Sequence, residues 1–223
     1  MQAIVSWSGG KDSCYAMLQA IALGYKPVAL LNMMNEDDAL SRSHGLTKQV
    51  LQAQALALNL PIITCATSWS MYEHNFVQCL TQATAQYSLH AAIFGDIDLQ
   101  AHLDWEQKVC AQAGIKAVLP LWQHNRMQLV TQMLNSGMQA YIVSCNSVMG
   151  SSYLGQLLTP QLLTQLVQLG VDPCGENGEY HTVVTYCNAF AHSIPIQFGN
   201  TILHNNYWFI NNIIHDYTTT ITA

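Results

Sequence analysis

Charge is what this sequence lacks. Only 20 of its 223 residues are Asp, Glu, Lys or Arg, or 9%, against roughly 25% in an ordinary soluble domain. Seven basic residues against thirteen acids leave a net charge of −6, which excludes an extended basic face for nucleic acid. Long apolar runs are missing too. The longest stretch without a charge, Met127–Val171, is broken by Gln128, Gln132, Asn135, Gln139, Ser144, Asn146 and Pro160. It never reaches the ~18 consecutive apolar residues of a membrane span. The N-terminus has neither the basic start nor the apolar stretch of a signal peptide, so a cytoplasmic protein is expected. The seven cysteines form no CxxC pair, and His and Cys never meet at zinc-ligand spacing. Reduced thiols acting as small buried hydrophobes are expected, not disulfides or a zinc site.

What is present is a large apolar fraction, 50%, enough for a core in one to two domains. Twenty Gln residues supply much of the missing polarity. Through residue 144, short apolar runs alternate with helical patterns. Strands are expected at Ala3–Ser6, Pro27–Met33, Pro61–Ala66, Ala91–Phe94, Ile115–Leu119 and Gln139–Ser144. Helices are expected over Lys11–Leu23 (stopped by Gly24), Gly45–Leu58, Ser70–Tyr87 (opened by a Ser70–Glu73 capping box), Gln100–Ala113 and Asn125–Asn135. Asn35–His44 reads as an exposed loop. Such alternation predicts a doubly wound parallel sheet, with ligands at the carboxyl ends of its strands. After Asn146 the texture changes. Thr159-Pro160 caps a short helix to Leu169, His181–Cys187 reads as a strand, and two runs flanking Gly199-Asn200 read as a hairpin. The division is placed at 1–145 and 146–223, the second part a smaller α+β domain. Thr218–Ala223 reads as a frayed tail.

The strongest chemical signal is Ser8-Gly9-Gly10-Lys11-Asp12-Ser13, between the first strand and the first helix. Two glycines allow close backbone approach, the helix start presents amides to an anion, and Ser8, Ser13 and Lys11 add donors and a cation. It is a phosphate cradle, but neither Walker A nor GxGxxG. Asp12 repels phosphate, so magnesium binding or loop orientation suits it better. Asp96 and Asp98, after the fourth strand, read equally as helix caps or as ligands to a metal or to ammonia. His102 and Glu106 share a helical face. Glu176 and Glu179 sit in a Gly-rich turn, and burying both calls for a cation.

Ser-Gly-Gly-Lys-Asp-Ser resembles the PP-loop of the ATP pyrophosphatases, the adenine-nucleotide α-hydrolase-like (HUP) group. Arg42-Ser43-His44-Gly45, Gly95-Asp96-Ile97, His102, Trp105-Glu106, Val109-Cys110, Pro120-Leu121-Trp122 and the run Gly170–Thr182 resemble one family within it, the diphthine–ammonia ligase family (diphthamide synthase ATP-binding domain). These motifs span residues 8 to about 185. The last ~35 residues match weakly, and Cys187-Asn188-Ala189-Phe190 stands where the family has a Gly-Pro-Leu-Phe-like stretch.

The resemblance implies a Rossmann-like fold and an ATP-dependent ligase. ATP adenylates a carboxylate, pyrophosphate leaves, and ammonia forms an amide with release of AMP. Ser8, Gly9, Gly10, Lys11, Asp12, Ser13, His44 and Gly95 would bind the nucleotide, and Asp12 and Asp96 the Mg²⁺. Lys11, Asp12, Asp96, Glu176 and Glu179 would act in catalysis. His102, Trp105, Glu106, Glu176, Asn177, Glu179 and His181 would meet the substrate, a diphthine-like group carried by an elongation factor where the host has one. A homodimer is compatible with the low-charge surface. The alternatives are a non-catalytic ATP or AMP sensor and a sulfur-transferring, tRNA-modifying PP-loop enzyme. The missing CxxC and basic face weigh against the latter. Eight of the thirteen acids (Asp12, Asp96, Asp98, Asp104, Glu106, Asp172, Glu176, Glu179) lie in or beside these motifs.

Overall fold

The computed structural model describes residues 1–42 and 44–210, and the backbone of 214–215. Ser43 of the Arg42–Gly45 motif and the tail Thr218–Ala223 lie outside the described residues. No helix among the described residues is long and apolar enough to cross a membrane.

Contacts divide the chain into two compact units, and the division does not fall at residue 145. The first holds Met1–Ser8, Asp12–Arg42 and Asn59–Asn125. The second holds Gly9–Lys11 together with, among described residues, 44–58 and everything from Arg126 onward.

The first unit is built on five parallel strands, β1 (Gln2–Ser6), β2 (Lys26–Met34), β3 (Ile62–Ala66), β4 (Ala91–Ile93) and β5 (Lys116–Val118), in the order β3-β2-β1-β4-β5. Helices α1 (Lys11–Ala22), α3 (Tyr72–Tyr87) and α4 (Gln100–Gln112) intervene. So does α2 (Lys48–Ala57), which the contacts assign to the second unit. The order reverses direction between β1 and β4, which makes the carboxyl ends of those strands the switch point, where such sheets bind ligands. One face of the sheet presents Ile4, Ala29, Leu31, Met33, Ala92 and Phe94, spaced two apart along each strand as a pleat requires. Phe76, Leu80 and Ala83 of α3 and Val109 and Cys110 of α4 complete that core. Trp7 is buried, and its carbonyl accepts from Asn32 Nδ2 at 2.6 Å, extending the β1–β2 edge by one residue.

Two local expectations are corrected here. The Ser70–Glu73 capping box does not form: α3 begins at Tyr72, and no side chain caps it at Met71. Glu73 instead accepts from Trp105 Nε1 at 3.1 Å and from Lys108 Nζ at 2.6 Å. A long-range pairing has captured the carboxylate that the local motif needed. The Asn35–His44 loop is exposed only in its first half, since Ser41 and His44 are buried. The Arg42 guanidinium is nearly enclosed, donating to the Thr67 carbonyl and lying 4.5 Å from the Trp69 ring.

The second unit carries an antiparallel sheet, β7 (Tyr180–Tyr186), β6 (Gln139–Asn146), β10 (Tyr207–Ile210) and β9 (Thr201–His204), in that order. β6, expected as a sixth parallel strand, pairs instead with β7 and β10. An apolar run fits either sheet, and its partners decide. The hairpin turns at Asn205-Asn206, not at Gly199-Asn200. Both asparagines have positive φ, 47° and 65°, the two-residue geometry that matches strand twist. β8 (Ile196–Gln197) pairs with β11 (Ile214–His215). α5 (Arg126–Asn135) and α6 (Pro160–Gln168) complete the unit. Thr159 caps α6 as expected, accepting from Leu162 N, with Pro160 in the first turn. All seven cysteines are free thiols and five are buried.

Candidate functional site

In the first unit, the carboxyl ends of β1 and β4 meet. Ser8 and Ser13 share a hydroxyl–hydroxyl hydrogen bond of 3.0 Å. Gly95, just past β4, packs on the backbone that opens α1. A Cβ on Gly95 would stand 2.8 Å from Asp12 C and 2.8 Å from Ser13 N. No other residue type fits there without moving the loop, which gives Gly95 a physical reason. Asp12 is half-buried, with its Oδ1 inaccessible to water.

Asp96, His102 and Glu106 come together beside it. His102 Nδ1 lies 2.5 Å from Asp96 Oδ1. Glu106, on the same face of α4 one turn further on, is only 2% exposed. Its Oε2 is buried, and no N–H or hydroxyl reaches it. An ionised Oε2 there would have no donor to accept from among the described residues. Burial and the Asp96 charge push Glu106 up to about 11, so it stays protonated and hydrogen-bonds to Asp96. Burial alone would raise Asp96 too. The bonds from His102 and Glu106 overcome it and hold Asp96 below its ordinary value. Two neighbouring acids thus divide into one carboxylate and one neutral acid, as like charges at short range must. Tyr72, enclosed by α3 and α4, is pushed up to about 12 by burial and by Asp96, with Arg42 pulling the other way. Trp105 turns its ring onto Phe76, centroids 5.0 Å apart, as part of the aromatic core.

In the second unit, β7 holds the glycine-rich segment. Lys11 N–H donates to Thr182 Oγ1 at 3.0 Å, and Val184 N–H to the Gly9 carbonyl at 2.9 Å. Gln54, fully buried in α2, spans the join. Its Nε2 donates to the carbonyls of Gly9 (2.9 Å) and Val184 (2.8 Å). The Lys11 side chain is 2% exposed, donates to the Cys174 carbonyl at 2.5 Å and lies 5.2 Å from the Tyr180 ring centre. His44 packs against Gly10, where a Cβ would come within 2.2 Å of His44 Cε1. Its Nδ1 donates to the Thr182 carbonyl at 2.7 Å, which fixes the tautomer. Burial lowers His44 to about 4, with the Lys11 charge adding to the effect, so the ring is neutral. His181 lies over it, centroids 4.7 Å apart.

The acidic turn after α6 is satisfied by its own amides and by Arg126 of α5. Asp172 accepts from Cys174 N (2.9 Å), Glu176 N (3.1 Å) and Arg126 Nη1. Glu179 accepts from Asp172 N (3.2 Å), Asn177 N (3.0 Å) and Asn177 Nδ2 (3.2 Å). The expectation that this turn needs a cation is therefore corrected for Glu179, whose charge is met by amides of its own loop.

Magnesium can be tested against these donors. Asp96 is already committed to His102 and Glu106. Among the described residues, no three of His, Cys, Asp and Glu gather to hold a metal. Asp96 does not fit as a magnesium ligand here, contrary to expectation, and Asp12 is a single carboxylate.

Sequence reasoning missed Gln54, Thr182 as a hub, Arg126 and Tyr72. Asp172 was legible in part: its bond to the amide two residues on is an Asx turn. Gln54 left no signal, being one glutamine in an Ala/Leu/Gln-rich helix.

A parallel 3-2-1-4-5 sheet with a glycine-rich loop after its first strand and a glycine packed on that loop from the fourth defines a Rossmann-like α/β protein. More narrowly, the chain belongs to the diphthamide synthase family, whose N-terminal domain model matches residues 1–117 and whose C-terminal domain model matches residues 125–219. It is 29% identical over 225 residues to the diphthine–ammonia ligase of Homo sapiens, covering 89% of this chain and 84% of that one. It is 26% identical over 224 residues to the diphthine–ammonia ligase of Mus musculus, with the same coverage. A crystal structure of a "predicted subunit of tRNA methyltransferase" from Methanocaldococcus jannaschii superimposes with a TM-score of 0.44 and 17% identity, over 84% of this chain and 98% of that one.

Proposed function

We propose that this protein is an ATP-dependent carbon–nitrogen ligase that converts a carboxylate into an amide. The carboxylate oxygen attacks the α-phosphorus of ATP and pyrophosphate leaves. Ammonia then attacks the acyl carbon, the bond to AMP breaks, and a proton is released. The observation that carries the reading is the position of Ser8–Ser13, at the carboxyl end of the strand beside the switch point, with Gly95 packed against Asp12 and Ser13. Membership of the diphthamide synthase family supplies the reaction class, and the names of its relatives supply the acceptor, a diphthine group. An elongation factor bearing that group is the proposed protein partner.

Ser8, Gly9, Gly10, Asp12, Ser13, Gly95 and His44 are proposed to shape the nucleotide site. Lys11 serves it from a buried position, as a fixed positive charge rather than a mobile arm. Magnesium is proposed to arrive with ATP, held by phosphate oxygens, water and the Asp12 carboxylate, since this small, strongly hydrated ion usually takes only one or two protein carboxylates. Glu176, Asn177 and His181 are proposed substrate contacts. Glu179 shapes the turn that presents them.

The test is product identity. With ATP, ammonium and a diphthine-bearing elongation factor, AMP and pyrophosphate should appear in step with amide. ADP and phosphate, or tight ATP binding with no turnover, would sink the reading.

A further inference from the structure

We infer that His102 is the base that takes the proton from the nitrogen nucleophile, with Asp96 and Glu106 as its positioning residues. This rests on the ligase reading above and goes beyond it in naming where the proton goes.

The geometry comes first. Asp96 lies three residues past the end of β4, in the segment that begins with Gly95 packed against Asp12 and Ser13. His102 stands on the first turn of α4, its side chain 55% exposed. A carboxylate 2.5 Å from Nδ1 places the proton on Nδ1 and makes Nε2 the basic nitrogen. The same carboxylate stabilises the imidazolium that forms when Nε2 is protonated.

Glu106 completes the arrangement from behind. A second carboxylate touching Asp96 would repel it. A neutral acid donates to it instead, so the charge stays on Asp96 and the Asp96 oxygen facing His102 stays fixed. Its burial at 2% exposure keeps it from being a substrate contact, contrary to the role the family resemblance implied for it. Among the described residues, Tyr72 and Cys110 also feel this cluster: the Tyr72 phenol, with Arg42 pulling the other way, and the Cys110 thiol are both held protonated, chiefly by burial.

The chemistry needs such a base. At neutral pH ammonia is mostly ammonium, which has no lone pair. One N–H bond breaks, its electron pair stays on nitrogen, and the proton moves to His102 Nε2. That lone pair then forms the C–N bond as the bond to AMP breaks, and the acylated nitrogen sheds a second proton to water to leave the neutral amide. The imidazolium returns its proton to water.

The experiment compares two nucleophiles on the full-length protein. Hydroxylamine is already largely unprotonated at neutral pH and has little need of a base. His102→Gln should lower kcat with ammonium by ~10²–10³-fold but with hydroxylamine by less than about fivefold. Glu106→Gln, whose amide donates to Asp96 as the neutral acid does, should lose less of the ammonium rate than Glu106→Leu. Carboxylate-dependent exchange of pyrophosphate into ATP should persist in His102→Gln. Equal losses with both nucleophiles, or an unchanged ammonium rate, would overturn the assignment while leaving the ligase reading intact. Absence of exchange in the unaltered protein would overturn the ligase reading and this assignment with it. Imidazole ¹⁵N shifts give a check independent of turnover: the Nδ1–H tautomer at His102 is required, and the Nε2–H tautomer refutes it.

Discussion

Thr182 Oγ1 accepts the Lys11 amide proton at 3.0 Å, joining positions 171 residues apart. The same residue's carbonyl takes the His44 Nδ1 proton. One buried threonine on β7 thus fixes both the glycine-rich segment and the histidine packed on it. Thr182→Val keeps the shape and removes the acceptor. Urea unfolding should show a loss of about 1–3 kcal/mol, the cost of a buried donor left short of a partner. Thr182→Ser should recover most of it. If both variants match the unaltered protein, the bond contributes nothing to holding the loop.

Gly95→Ala places a methyl 2.8 Å from two backbone atoms of Asp12 and Ser13. Neither is the end of a flexible side chain, so the opening of α1 has to shift. A stability loss of about 1–3 kcal/mol is expected for overpacking of this kind. ATP binding by calorimetry should weaken along with it. Full retention of ATP affinity would separate this backbone contact from the nucleotide site.

His44 is a base whose folded value, about 4, lies below its ordinary 6.5. The unfolded chain therefore binds the proton more readily. Between pH 6.5 and 4 the unfolded state holds more protons, so stability falls as pH falls and levels off below about 4. The most this one group can contribute is about 3 kcal/mol. His44→Asn keeps a donor for the Thr182 carbonyl and removes the titration. Its melting temperature should vary less than that of the unaltered protein across this window.

Glu106 shows the opposite behaviour. Its folded value, about 11, lies above its ordinary 4.5. The folded state keeps a proton that the unfolded chain releases, so stability is full below pH 4.5 and declines as pH rises toward 11. Glu106→Gln remains neutral in both states. Thermal melts should find the variant more stable than the unaltered protein at pH 8 and little different at pH 4. A variant destabilised equally at both pH values would show that Glu106 is ionised in the fold.

What the sequence determined by itself was local, or repeated along the chain. The alternation of apolar runs and helical patterns determined five parallel strands, because burial on both faces of a sheet and on one face of a helix leaves different periods. Thr159-Pro160 determined the start of α6, because a cap acts within one turn. The glycine-rich loop and the motifs from Gly95 to Thr182 carried the family. Tertiary structure alone decided what depends on partners distant in sequence. Glu106, a charge on paper, is a neutral acid because the fold buries it against Asp96. Glu73 leaves its capping box for Trp105 and Lys108. Lys11 is an enclosed cation because the Cys174 carbonyl, 163 positions away, receives its ammonium. β6 joins the antiparallel sheet because β7 and β10 are there to pair with it. In a chain with only 20 charged residues, sequence gave the place of each acid, but desolvation and neighbours set whether it carries its charge.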